Sequence, residues 1–138
     1  MNFNRGNGIG LVSPNADLNA KIAEFVTVAD EISEAYYLRN EYKFAPSPLH
    51  RADFISDKWV RVVVIERQND GGQRVSSVYA FIALQDGETK ALGKIKAGDI
   101  HKPATFKAPA KHARGSVFDA NFRTCLNEHG PVYLKNYR

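Results

Sequence analysis

The feature of the sequence that most constrains its fold is a stripe of apolar residues near the N-terminus. Six of them recur at spacings of four, three, four, three and four residues: Leu18, Ile22, Phe25, Ala29, Ile32 and Tyr36. This period places all six side chains along one side of an α-helix. Ahead of them, Ser13 suits the N-cap and Pro14 the first helical position, where its missing N–H costs nothing. The sequence therefore predicts a helix from about residue 14 to residue 40.

An apolar stripe of this kind needs a surface to cover it. Such a stripe usually packs on a sheet of the same chain, but a heptad-like spacing also pairs with a second copy, so a homo-oligomer stays open at this point. The acidic residues Asp30, Glu31 and Glu34 follow on the same helix. Because charges opposite an apolar stripe normally face water, we interpret these three as a solvated surface and not as a catalytic cluster.

The middle of the chain has the pattern of an antiparallel hairpin. Residues 58–68 read KWVRVVVIERQ and residues 75–85 read VSSVYAFIALQ, and both are rich in the β-branched and aromatic residues that strands favour. Between them, NDGG supplies residues that tolerate a tight turn. The segment before the hairpin, residues 41–57, contains Pro46 and Pro48 and is predicted to be a loop.

These elements predict an α+β fold. The long N-terminal helix packs on an antiparallel sheet of three to four strands, whose third and fourth strands fall near residues 91–96 and 98–102, and an irregular basic C-terminal segment follows, with a short last strand at 131–135. The chain has 138 residues, 43% of them hydrophobic and 25% charged, which fits one ordinary globular domain spanning residues 1–138. Residues 1–12, rich in Asn and Gly, are predicted to form a flexible arm.

The charge of the chain is distributed unevenly. Residues 1–89 hold 9 basic and 12 acidic residues, whereas residues 90–138 hold 10 basic and 3 acidic residues, and together they give the net charge of +4. Within the basic third, residues 101–118 read HKPATFKAPAKHARGSVF and contain no Asp or Glu. Such an asymmetry favours contact with a polyanion, although a solvated basic surface without a partner has the same composition.

Aromatic residues interleaved with Lys and Arg are typical of single-strand nucleic-acid surfaces, because cations follow the phosphates while rings stack on bases. The predicted phosphate contacts are Lys94, Lys96, Lys102, Lys107, Lys111, Arg114 and Arg123. Phe106 and His112 are predicted to stack on bases, and the tail adds Tyr133, Lys135 and Tyr137. Two alternatives stay open: Phe106 and Phe118 can instead anchor the loop in the core, and the tail can be frayed and idle.

Other kinds of site are poorly supported. The GNGIG segment follows no strand and precedes no Lys-Ser or Lys-Thr pair, so it does not predict a phosphate loop. Cys125 and His129 are spaced for one helix face, but no further ligand spacing supports a metal. We therefore predict no enzyme activity, no cofactor and no metal. A single cysteine favours a reducing compartment, and no apolar run suits a signal peptide or a membrane span, so a cytoplasmic protein without a membrane partner is expected.

The basic segment also resembles a segment found in small proteins of tailed bacteriophages. The matching pieces are Gly98-Asp99, Lys102-Pro103-Ala104, Phe106-Lys107-Ala108-Pro109-Ala110-Lys111 and Ala113-Arg114-Gly115. The preceding SSVYAFIAL and the closing YLK fit as well, so the likeness covers about the C-terminal half of the chain. One departure is Phe106, where Trp is more usual in those proteins.

Within that group the chain resembles the single-stranded DNA-binding transcription cofactors of N4-like phages. The resemblance implies binding of single-stranded DNA with little sequence preference, in phage transcription by recruiting the phage RNA polymerase, or in replication, within the cytoplasm of an infected bacterial cell. A single strand is also favoured over a duplex because the one predicted helix exposes acidic residues. The alternative is a phage takeover protein that binds and modulates a host protein through the acidic helix or the Pro46–Pro48 loop.

Overall fold

The computed structural model describes residues 15–40 and 46–132. In these ranges the chain forms one α-helix, nine short or medium β-strands and a single 3₁₀ turn. The α-helix, α1, spans Ala16–Arg39. The side-chain oxygen of Asn15 accepts a hydrogen bond from the backbone N–H of Leu18 at 3.0 Å, so Asn15 is the N-cap. The sequence placed this start at Ser13 and Pro14, which lie outside the described residues.

The predicted apolar stripe of α1 packs on the sheet of the same chain. Leu18, Ile22, Phe25 and Ala29 are fully buried, and Ile32 packs against the same cluster. The stripe thus packs on a sheet of the same chain, which is the first of the two arrangements considered for it. The helix face that heptad-like pairing with a second copy needs is already occupied.

The main sheet has five antiparallel strands in the order β1-β2-β3-β6-β7. Their bounds are Leu49–Phe54 for β1, Trp59–Arg67 for β2, Gln73–Ala83 for β3, Asp99–His101 for β6 and Gly115–Ser116 for β7. The α+β fold class and the β2–β3 hairpin are thereby confirmed. The number of strands is not, because the prediction had three to four.

The additional strand at the sheet edge, β1, lies in the segment predicted as a loop. The strand is hard to recognise in the sequence because it contains polar residues, two of which are buried and hydrogen-bonded to partners. Asp30 accepts hydrogen bonds from the backbone N–H of His50 at 2.8 Å and from Nδ1 of the same residue at 2.9 Å. Asp53 receives two hydrogen bonds from the Arg51 guanidinium, at 2.7 and 2.9 Å. Asp30 therefore pins α1 to β1, which corrects its interpretation as part of a solvated surface.

Two further strand predictions are corrected as well. The strand predicted near 91–96 is β5, Gly93–Ile95, and it pairs with β4, Gly87–Thr89, in a separate hairpin outside the main sheet. The strand predicted from residue 131 begins one residue earlier, as β9, Gly130–Pro131, which pairs with β8, Leu126–Asn127, and residues 133–135 of the prediction lie outside the described residues. The strand predicted at 98–102 is present as β6, and it pairs with β3.

The two faces of the main sheet differ in what covers them. The helix face carries Val60, Val62, Ala80, Ile82 and Ile100, which form one buried cluster with α1. The opposite face, which we call the loop face, carries the alternate residues of the same strands and faces the basic segment. An antiparallel sheet that is covered by a helix on one face leaves its other face available for a binding site. Among the described residues, no helix combines the length and the apolar character that crossing a bilayer requires.

Candidate nucleic-acid interface

The basic loop, which we define as residues 102–114, connects β6 to β7 and folds back on itself. The backbone N–H of Ala110 donates to the carbonyl of Lys102 at 2.7 Å and closes the base of the loop. At the tip, the Thr105 hydroxyl accepts hydrogen bonds from the backbone N–H groups of Lys107 and Ala108, each at 3.1 Å. A turn capped by a threonine hydroxyl holds the tip in one conformation.

The tip places Phe106 on the guanidinium of Arg61. The Arg61 Cζ atom lies 4.4 Å from the centre of the Phe106 ring, and its Nη1 donates to the Phe106 carbonyl at 3.2 Å. Phe106 nevertheless stays 48% exposed, and Phe118 stays 44% exposed. Neither ring is a core anchor, which settles that alternative for both. Because a cation–π contact uses one face of the ring, the exposed part of Phe106 is able to stack on a base.

Arg61 belongs to a row of side chains that crosses the loop face. Arg61 on β2 is paired with Phe81 on β3, and Phe81 is paired with His101 on β6. Directly paired residues of antiparallel strands share a face, so Arg61 and His101 lie two strand spacings, about 10 Å, apart. Trp59 packs edge-on against the middle of this row and its His101 end, with its ring 6.3 Å from that of Phe81 and 5.3 Å from that of His101.

The sequence prediction missed Arg61 and His101 as site residues. A signal for Arg61 was present, since strict alternation along β2 puts it opposite the apolar Val60 and Val62. His101 had no local signal, because its place on the loop face depends on the pairing of β6 with β3.

At the His101 end of the row lies an open groove of about 490 Å³. Its walls are formed by β5, β6 and the basic loop: Leu92, Gly93, Lys94, His101, Lys111, His112 and Ala113. His112 is half-buried here and has a φ of +72°, a left-handed conformation that residues other than Gly rarely adopt. Strained backbone of this kind is concentrated at functional sites. His112 was predicted to stack on bases, and the structure places it in the wall of the groove.

Three of the predicted cations stand at this surface without an acidic partner. Lys94, Lys107 and Lys111 are exposed, and none forms an ion pair with a carboxylate of residues 15–40 or 46–132. Glu88 lies opposite Lys94 in the β4–β5 hairpin, beyond ion-pair distance. Uncompensated cations beside an exposed ring are the combination that a nucleic-acid strand requires.

Two other predicted cations fasten the end of the described chain. The Lys102 ammonium donates to the Pro131 carbonyl at 2.7 Å, and the Arg114 Nη1 donates to the Val132 carbonyl at 3.0 Å. Burial lowers the pKa of Lys102 from its usual value, and the nearby Arg114 lowers it further. These contacts give both residues a structural role at the base of the basic loop.

The remaining predicted residues lie elsewhere. Arg123 forms an ion pair with Glu31 of α1 at 2.9 Å, and the neighbouring Phe122 stacks on Phe25, so Arg123 is on the helix side of the sheet. Lys96 is exposed in the turn before β6. Tyr133, Lys135 and Tyr137 are outside the described residues, and their predicted role is untouched by the structure.

The structure also bears on the weaker metal idea. Burial, followed by the charge of Asp119, raises the pKa of the Cys125 thiol to about 11, so the thiol keeps its proton. Within the described part of the chain, no three His, Cys, Asp or Glu side chains are grouped to hold a metal ion. Cys125 and His129 therefore have no further ligands among these residues.

Comparison with known protein families matches residues 39–131 to DUF7717, a family of unknown function. These residues make up about two thirds of the chain. The chain belongs to the DUF7717 family. No curated protein and no solved structure shows detectable similarity to it.

The matched part of this DUF7717 protein begins at the last residue of α1 and ends at the last residue of β9. It contains all five strands of the main sheet, the β4–β5 hairpin and the basic loop. The Phe106–Arg61 contact and the His101 groove therefore both lie in the part that defines the family. The family description names no activity and no source, so the resemblance to phage proteins stays a prediction.

Proposed function

We propose that this DUF7717 protein binds single-stranded DNA on the loop face of its sheet, with little sequence preference. The observation that carries the proposal is that Lys107 and Lys111 of the basic loop and Lys94 of the adjoining groove lack acidic partners among the described residues, while the Phe106 ring of the same loop is half-exposed. Each lysine meets a phosphate, and the ring stacks on a base.

A single strand fits this surface better than a duplex. The bases of a single strand are free to stack on Phe106, whereas those of a duplex are stacked on one another. The one described helix long enough to read a groove exposes Asp17, Glu24 and Glu31, which repel phosphates. The resemblance to phage proteins then suggests the setting: transcription, with recruitment of the phage RNA polymerase, or replication in an infected bacterial cell.

A direct titration tests this function. Fluorescent oligonucleotides of one sequence, single- or double-stranded, are added to the protein at two salt concentrations, and the anisotropy is followed. We expect tighter binding of the single strand and a steep loss of affinity with salt, because released counterions dominate the free energy of binding. Absence of salt-sensitive binding to either form would end the proposal and favour the host-protein alternative.

Phe106 gives a second prediction that separates stacking from charge. We expect Phe106→Ala to weaken binding about tenfold, near the lower end of the 1–3 kcal/mol that one stacked base contributes, because one face of the ring already rests on Arg61. The dependence on salt should not change, since no charge is removed. Phe106→Trp, which restores the more usual residue, should bind at least as tightly as the wild type. A loss of affinity in Phe106→Trp equal to that in Phe106→Ala would exclude stacking at this position.

A further inference from the structure

The groove beside the basic loop contains an imidazole with one nitrogen unsatisfied. His101 is 2% exposed, and its Nδ1 lies 2.7 Å from the Ala110 carbonyl oxygen. A carbonyl oxygen only accepts, so Nδ1 carries the proton and donates it. The other ring nitrogen, Nε2, is buried and has no hydrogen-bond partner among the described residues. In the neutral ring this nitrogen is an acceptor whose lone pair nothing satisfies.

The charges around His101 come from three elements. Lys94 of β5 and Lys111 and His112 of the basic loop line the groove with it, Arg114 approaches from the same loop, and Asp99 lies on its own strand. Burial lowers the pKa of His101 most strongly. The Ala110 hydrogen bond and Asp99 oppose this effect, while Arg114 and His112 add to it. The strand on the other side, β3, contributes the uncharged Phe81. Burial and the surrounding cations thus both favour a neutral His101.

A groove walled by lysines around an unsatisfied imidazole is suited to an anion whose negative charge favours protonation of the ring. We propose that the groove is a phosphate subsite, in which Lys94 and Lys111 hold adjacent phosphates of the strand and His101 takes up a solvent proton at Nε2 as the strand binds. The proton turns Nε2 from an acceptor without a partner into a donor, and the phosphate compensates the added positive charge. The proposal rests on the proposed function for the source of the phosphate, because inorganic phosphate has the same chemistry.

Proton uptake of this kind has a definite sign. Because the protonated ring is favoured only when phosphate is bound, affinity rises as the pH falls through the pKa of His101 in the complex. A gain of one pKa unit on binding corresponds to about a tenfold gain in affinity, which is complete once the pH lies below the pKa of the free protein. We therefore expect a single-stranded oligothymidylate to bind the wild-type protein about tenfold more tightly near pH 5.5 than near pH 8.

The variant His101→Asn isolates this effect. The asparagine amide is able to donate to Ala110 in place of Nδ1 but does not titrate, so the variant should lose the tenfold dependence on pH. His112→Asn tolerates the left-handed backbone and removes the other histidine of the groove, and His129→Asn removes an exposed histidine near α1. The His129→Asn control should keep the pH dependence of the wild type, whereas His112→Asn removes a group that lowers the pKa of His101 and should keep the dependence with its midpoint at higher pH. If His101→Asn retains the full dependence, or His112→Asn abolishes it, the subsite is wrongly assigned.

A second measurement uses the wild-type protein and does not depend on the folding of any variant. The imidazole nitrogen resonances of His101 are followed by NMR as the pH is changed, with and without inorganic phosphate. We expect phosphate to raise the pKa of His101. If oligothymidylate does not bind but phosphate raises the pKa, the subsite holds and the DNA-binding function fails. If the oligonucleotide binds while neither ligand alters the titration of His101, the subsite fails and the function stands.

Discussion

Replacing Lys94, Lys107 and Lys111 together by alanine is expected to lower the affinity for a single-stranded oligonucleotide by about 100-fold at about 0.1 M salt. Each phosphate contact on a single strand contributes about 0.7 to the slope of log affinity against log salt, so each contact is worth about fivefold at this concentration. The triple variant should therefore also show a slope smaller by about 2. Fluorescence anisotropy over a series of salt concentrations measures both quantities.

The matched control removes the same charge from the helix side of the molecule. Arg39 and Arg123 are exposed and Lys21 is half-buried, and each lies near a carboxylate: Glu128, Glu31 and Glu24, respectively. We expect their joint replacement by alanine to change the affinity by only a few-fold, through the loss of net charge alone. Equal losses in the two triple variants would mean that the loop face is not the binding surface. Thermal unfolding of both variants checks that the fold is intact.

The same control examines a limit of prediction from sequence. In the sequence, Arg123 and the three lysines are all basic residues of the C-terminal third, and all four were predicted to contact phosphates. Arg123 lies on the other side of the sheet from the lysines because Phe122 packs against Phe25, a contact between residues almost a hundred positions apart. Lys102 and Arg114 differ in role from the neighbouring basic residues for a similar reason, because their side chains donate hydrogen bonds to the carbonyls of residues 131 and 132. A local pattern identifies a basic segment but not which of its charges stay available.

The fold was more accessible to prediction because its main signals are local. The period of α1 and the alternation of β2 and β3 with a Gly-rich turn identify a helix and a hairpin without knowledge of the rest of the chain. Strand β1 was missed because its buried polar residues are tolerated only with hydrogen-bonded partners, and the partner of His50 is distant in the sequence. His50 is fully buried, and the Asp30 carboxylate that accepts from it lies 20 residues away on the helix. The hydrophobic pattern therefore fails to predict a strand where a buried polar pair replaces an apolar contact.

The short β8–β9 hairpin connects the core to the base of the basic loop. On one side, the Tyr79 hydroxyl donates to the Asn127 carbonyl at 2.7 Å. On the other side, the carbonyls of Pro131 and Val132 accept from Lys102 and Arg114. Because the loop is fastened to this hairpin, and the hairpin to the core strand β3, a disturbance of the hairpin should affect stability and binding together.

Gly130→Ala is the substitution that tests this connection. Gly130 has a φ of +122°, and a Cβ atom there would lie 2.5 Å from the Tyr79 carbonyl oxygen. Backbone strain and overpacking together should lower the free energy of unfolding by roughly 2–5 kcal/mol, measured by urea denaturation. The hairpin must move away from β3 to relieve the contact, so oligonucleotide affinity should fall as well, although no charge is removed.

Gly71→Ala supplies the control for this prediction, because it imposes similar backbone strain without a neighbour. Gly71 has a φ of +91° in the β2–β3 turn, and nothing lies within 4 Å of its Cβ position. We expect a cost of about 1–2 kcal/mol and an unchanged affinity, since this turn is remote from the basic loop. If Gly130→Ala costs no more than Gly71→Ala, the close approach of the hairpin to Tyr79 does not constrain the fold. If it costs more but binding is unaffected, the basic loop does not depend on the hairpin, and Lys102 and Arg114 hold the chain end without supporting the site.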